Sequence, residues 1–185
     1  MKKGNFEING EIYRVTEVKG GKVEITLATE TDSLIYVYLP RRCCNPHRWS
    51  TSDFIKVTGT IIKMEDSDEG VLNKIEFSQA IIKRLFTIET GNQEIDYCSV
   101  FTLNGRVENV FPVDKDNYEL TLVTAEGTYT IQCDSYTLFR NITKLDLNNE
   151  FMINGVVYIT KYSHYSYKGN VVSRINYVAT NIAYS

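Results

Sequence analysis

The stretch FEING, Phe6 to Gly10, returns as FTLNG, Phe101 to Gly105, 95 positions later. At the same offset KVEITLAT, Lys22 to Thr29, is matched by NYELTLVT, Asn117 to Thr124, with Glu, Thr, Leu and Thr identical. Further along, DFIKVTG, Asp53 to Gly59, corresponds to EFMING, Glu150 to Gly155, one residue shorter. Ile75, Phe77 and Ile82 then correspond to Ile175, Tyr177 and Ile182. Matches that keep one order along the chain mark an internal duplication. Two homologous domains follow, residues 1–90 and 97–185, joined near Glu89-Thr-Gly-Asn-Gln93. Each has the size of a small fold.

Each repeat reads mostly as strand. Val23, Ile25 and Leu27 alternate with Glu24 and Thr26, and Ile35, Val37 and Leu39 alternate with Tyr36 and Tyr38. A period of two marks half-buried strands. Lys19-Gly-Gly-Lys22 is a turn between the first two strands, and Asp114-Lys-Asp-Asn117 takes its place in the second repeat. A non-strand stretch follows the third strand, Pro40–Ser52 or Ser135–Asn149. The spacing predicts a short helix over Leu138–Leu147, whereas its counterpart is broken by Pro46. A fourth strand centred on Gly59 or Gly155, a polar loop and a fifth strand complete each repeat.

Five strands with a loop or helix between the third and fourth resemble the plan of the OB-fold. Gly10 and Gly105 in the first strands fit, because a small barrel bends its first strand sharply. The resemblance covers nearly the whole chain, twice. It implies an all-β protein of two tandem five-stranded OB-fold barrels, and supports the fold more than any function.

Totals set the bounds. The chain has 185 residues, 43% hydrophobic and 23% charged, enough for a packed core. Thirteen tyrosines and eight phenylalanines against three prolines favour β structure. Net charge is −3 and neither half is basic, so a polyanion would have to be met by a local cluster of cations. No apolar stretch follows Met1-Lys2-Lys3, so neither a signal peptide nor a membrane span is expected. Cys43, Cys44, Cys98 and Cys133 read as reduced thiols in a cytoplasm.

Catalytic chemistry is scarce. His47 and His164 are the two histidines, neither is near a nucleophile motif, and no phosphate-cradling glycine loop occurs. Cys43-Cys44-x-x-His47 holds metal-like residue types, but adjacent cysteines take two tetrahedral corners poorly and no second pair follows. No enzyme activity, metal or cofactor is expected.

Aromatic residues are the stronger signal. By strand parity Tyr36 and Tyr38 point outward on the third strand. OB-folds bind oligonucleotides on the outer face of strands two and three, so the resemblance puts both rings at a stacking position. Lys22 lies on the neighbouring strand, and Arg41, Arg42, Arg48 and Trp49 follow the third strand within reach of a phosphate backbone. In the second repeat the stretch KYSHYSYKGN, Lys161 to Asn170, falls between strands four and five, a usual clamp over the groove. Tyr162, Tyr165 and Tyr167 would stack there and Lys168 would neutralise phosphate. Outward positions Thr130 and Gln132 replace the platform tyrosines in that repeat. Covering a cross-strand neighbour is the plainer role for Tyr36 and Tyr38, and rim packing is the plainer role for Trp49.

The chain resembles the single-stranded DNA-binding proteins of replication and recombination, of the small phage or plasmid kind. What this implies is a non-catalytic binder of single-stranded DNA, or of RNA, in the cytoplasm of a bacterium or phage-infected host. The acidic loop Glu65–Glu69 would repel phosphate and suits a protein partner. The alternative expectation is an OB-fold adaptor between proteins, or a virion component. The sequence sets no oligomeric state.

Overall fold

The computed structural model describes residues 3–28, 34–62, 74–86, 99–140, 149–163 and 171–185, with the backbone alone for 86, 159–163 and 171–174. Strand β2 (Lys22–Ala28) buries Val23, Ile25 and Leu27 completely, and β3 (Leu34–Pro40) does the same with Ile35, Val37 and Leu39. They face one another in register, Val23 opposite Leu39, Ile25 opposite Val37 and Leu27 opposite Ile35. The alternation predicted from sequence is thus the inner wall of a barrel. Burying a side chain of this size contributes about 1.5–3 kcal/mol.

By compactness the chain groups into two units. One comprises Glu7–Ser99 with Ile159–Ile175; the other comprises Met1–Phe6, Val100–Tyr158 and Asn176–Ser185. In the first, the strands are β1 (Asn5–Val18), β2, β3, β4 (Phe54–Ile62) and β5 (Lys74–Phe86). Their order is β2-β3-β5-β4-β1, and β1 pairs again with β2. That closure makes a five-stranded barrel consistent with the OB plan, with β3 and β5 parallel and the pairs β1–β2, β2–β3 and β4–β5 antiparallel. Closure removes the free sheet edges.

In the second unit the strands are β6 (Ser99–Pro112), β7 (Asn117–Thr124), β8 (Thr128–Asp134), β9 (Glu150–Ser163) and β10 (Val171–Tyr184). They run β6-β7-β8-β10-β9, and β9 also pairs with β6. Here too the third and fifth strands are parallel. Phe6 belongs to this unit. It is fully buried, stacked 6.0 Å from Phe101 and edge-on to Tyr177 at 6.0 Å.

The duplication extends to an irregularity that sequence matching did not reveal. The β1–β2 register shifts between Ile12 and Arg14, and the β6–β7 register shifts between Val107 and Asn109, again 95 positions on. Such a bulge bends the first strand and reverses the facing of every residue beyond it. Close approach explains the repeated glycines as well. A Cβ on Gly105 would overlap the Val123 carbonyl oxygen, and one on Gly155 would overlap that of Val178.

Turn chemistry differs between the repeats. Gly20 and Gly21 adopt φ of +88° and +71°, which a Cβ would oppose. At the corresponding place Asp114 closes the turn by accepting from the Asp116 and Asn117 amides at 2.9 and 3.0 Å. The helix described in the second repeat, α1, spans Ser135–Phe139, because the Asp134 carboxylate accepts from the Thr137 amide at 2.6 Å and so starts it at once; of the expected Leu138–Leu147, residues 141–147 lie outside the described residues. Residues 141–148 lie outside the described residues, as do the 89–93 link and the acidic 65–69 loop.

Candidate nucleic-acid interface

The outer face of the closed barrel is built from alternate residues of β1, β2, β3 and β5. Tyr36 and Tyr38 stand on it, both half-buried, while Ile35, Val37 and Leu39 fill the interior. Across the sheet Tyr36 is flanked by Thr26 on β2 and Lys74 on β5; Tyr38 is flanked by Glu24 and Glu76. The bulge on β1 brings Arg14 opposite Thr26 and Thr16 opposite Glu24. Thr26 has the outward parity expected of it but is only 1% exposed, between its partners Arg14 and Tyr36.

A polar network fixes one ring. The Tyr38 hydroxyl donates to Glu24 Oε2 at 2.7 Å, and the same carboxylate receives Arg14 Nη2 on Oε1 at 3.1 Å. Burial and the adjacent Glu24 carboxylate push the Tyr38 phenol well above its ordinary range, so it stays protonated and donating. Lys22 pairs with Glu76, closing the row beyond Tyr38. Among the described residues no hydrogen bond ties the Tyr36 hydroxyl, which leaves its ring as the less encumbered of the two.

The expected cations fall into two groups. Arg41 pairs with Glu17 at 3.2 Å, both side chains well exposed, and its amide donates to the Gly21 carbonyl at 2.9 Å. Arg42 donates to the Ser78 carbonyl at 2.9 Å. With Lys22 these border the Tyr38 end of the face. The exposed Arg41–Glu17 pair is worth about 0–1 kcal/mol, so an incoming phosphate can exchange it at little cost.

Arg48 and Trp49 belong elsewhere. Trp49 closes the 3-10 turn Pro46–Arg48, and the Arg84 guanidinium lies 5.0 Å above its ring. Arg84 also donates to the Arg48 carbonyl at 2.9 Å and to Asp53 at 3.2 Å. Among the described residues no hydrogen bond, ion pair or ring contact links this cluster to Tyr36 or Tyr38, and one face of Trp49 is occupied. Tyr165, Tyr167 and Lys168 lie outside the described residues, as does the side chain of Tyr162.

Sequence reasoning missed several residues. Arg14 looked inward on strict alternation from Phe6, and the bulge turns it out. The same shift turns out Phe111, 54% exposed, in the second unit. The pinning of Tyr38 by Glu24 joins residues on different strands. Cys44 and Cys133 are buried, and burial pushes both thiols up to about 11, far from nucleophilic. Among the described residues no group of three metal-ligating side chains assembles, and no helix is long and apolar enough to cross a membrane.

No family model matches the chain, and no curated protein matches it in sequence. Solved structures do match in shape. One is the wild-type single-stranded DNA binding protein from Thermus aquaticus, 12% identical, with a TM-score of 0.57 over 100% of this chain and 93% of that one. A deletion variant of the same protein gives 0.58 at 12% identity over 100% and 94%. Across so few identical residues, what the chain shares with these DNA-binding proteins is the fold.

Proposed function

We propose that the chain binds single-stranded nucleic acid, DNA foremost, without catalysing a reaction, as a component of replication or recombination of the phage or plasmid type. In this proposal it is a tandem pair of OB-fold barrels, residues 1–90 and 97–185, working in a cytoplasm. The observation that carries it is the pair of neighbouring, half-exposed tyrosines on the outer face of a closed barrel, bordered by Lys22, Arg41 and Arg42. Bases stack on Tyr36 and Tyr38 at about 1–3 kcal/mol each. In this proposal Tyr162, Tyr165, Tyr167 and Lys168 extend the contact surface, and Arg48 and Trp49, held apart with Arg84, would meet the strand only beyond it. The fold shared with a single-stranded DNA binding protein supports this reading.

Fluorescence titration with poly-dT at low and moderate salt tests it. Expected is quenching that weakens with salt, and at least a fivefold loss of affinity when Tyr36 and Tyr38 are both replaced by Ala with the fold intact. An unchanged affinity in that variant would remove β3 from the site. A second reading, a protein adaptor, is favoured by one feature. Tyr136 and Phe139 on α1 are 69% and 52% exposed, and Arg140 lies 5.7 Å over the Tyr136 ring. Aromatic residues and Arg are enriched at protein interfaces. No response to poly-dT, with a defined protein retained in a pull-down, would favour that reading.

A further inference from the structure

Glu24 and Glu119 hold the same place in the duplication, yet their surroundings differ. Glu24 is committed to Arg14 and to the Tyr38 hydroxyl. Glu119 is half-buried on the outward side of β7, opposite Phe111 on β6 and Gln132 on β8. Its carboxylate has no hydrogen bond or ion pair among the described residues. The aromatic has also changed sides. In one unit the row reads Thr16, Glu24, Tyr38; in the other it reads Phe111, Glu119, Gln132. The bulge between Val107 and Asn109 is what turns Phe111 outward, leaving its ring 54% exposed.

An exposed ring directly paired with a free acceptor has a specific use. Directly opposed side chains of antiparallel strands start about 5 Å apart at Cβ. A base lying on the Phe111 ring therefore brings its edge to the Glu119 carboxylate. Carboxylates accept from exocyclic amines such as cytosine N4. Thymine and uracil present a carbonyl oxygen at that position, which the carboxylate repels. Phosphate is repelled too, so the strand must turn a base edge to this point and not its backbone.

We infer that Phe111 and Glu119 form a base-reading position on the second unit, selective for an amino-bearing base and for cytosine over uracil or thymine. The inference rests on the single-strand reading above. Phe111 supplies stacking to any base; Glu119 supplies the discrimination.

The test uses the full chain with oligo-dC and oligo-dU of equal length, at pH 8, by competition against a labelled strand. The wild type is expected to bind oligo-dC about fivefold or more tightly than oligo-dU, within the range of one good base contact. Glu119→Ala brings the ratio near one without weakening oligo-dU. Glu119→Thr, a strand-forming residue like its neighbours, does the same if the alanine variant folds poorly. Phe111→Ala weakens both oligonucleotides. A wild-type ratio near one, or a ratio that survives in both Glu119 variants, overturns the assignment while the single-strand reading stands. A wild type that binds neither oligonucleotide overturns both.

Discussion

Tyr38 carries two separable properties, a ring and a hydroxyl. The hydroxyl is tied to Glu24 at 2.7 Å and the ring is half-exposed. If stacking is what the residue contributes, Tyr38→Phe keeps poly-dT affinity within about twofold, whereas Tyr38→Ala loses about fivefold or more by the usual worth of a stacked base. Equal losses in the two variants would assign the effect to the Glu24 bond instead. Tyr129 presents the opposite case. It is 5% exposed, its hydroxyl finds no hydrogen-bond partner among the described residues, and burial pushes the phenol far up. Tyr129→Phe is expected to stabilise the protein by about 1 kcal/mol in chemical denaturation, because an unsatisfied buried hydroxyl is removed. Tyr177 is likewise raised by burial. The sign with pH follows. Folded phenols with raised values hold their protons longer than unfolded ones, so stability is intact below about pH 10 and is lost as pH climbs beyond it. Ultraviolet titration should show these phenols ionising together with the loss of circular dichroism; ionisation of all thirteen tyrosines before unfolding would contradict it.

At the scale of elements, the first and fourth strands depend on glycines that touch opposing backbone. Gly105→Ala and Gly155→Ala place a methyl against the Val123 and Val178 carbonyls, and each should cost about 2 kcal/mol or more of stability. The start of α1 depends on a cap, so Asp134→Ala should lower the melting temperature. The Thr137 amide holds the Asp134 carboxyl below its ordinary value. The stability it contributes is present above the unfolded carboxyl range and lost as pH falls, so the gap between wild type and variant closes in acid. These elements also show what a sequence can reveal. β2 and β3 were legible because their two faces contrast: Val, Ile and Leu inside, Glu, Thr and Tyr outside. The bulges were not, since neither Tyr13 nor Glu108 differs in type from an ordinary strand residue. One extra residue therefore hid Arg14 and Phe111 from any argument by alternation. The helix start was hidden for another reason. Asp134 ends a strand and caps a helix at once, and only the geometry of its carboxylate separates the two roles.

For the whole molecule, electrostatics sets the mode of binding. With a net charge of −3, the chain cannot gather a polyanion by its overall field. Lys22, Arg41 and Arg42 border the Tyr38 end of the platform and are already in contacts, while Arg14 and Lys74 flank it across the sheet. If the three at the Tyr38 end each meet a phosphate, the salt dependence is shallow, a slope of about −2 in log affinity against log salt for a single strand. Stacking then carries most of the affinity, which makes the position of the rings the central claim. Photo-crosslinking with an oligonucleotide containing 5-iododeoxyuridine tests it most directly, because transfer needs the base against an aromatic side chain. Peptide mapping should find the adduct on Tyr36 or Tyr38. Adducts confined to Tyr136 or Phe139, or none at saturating strand, would contradict the account.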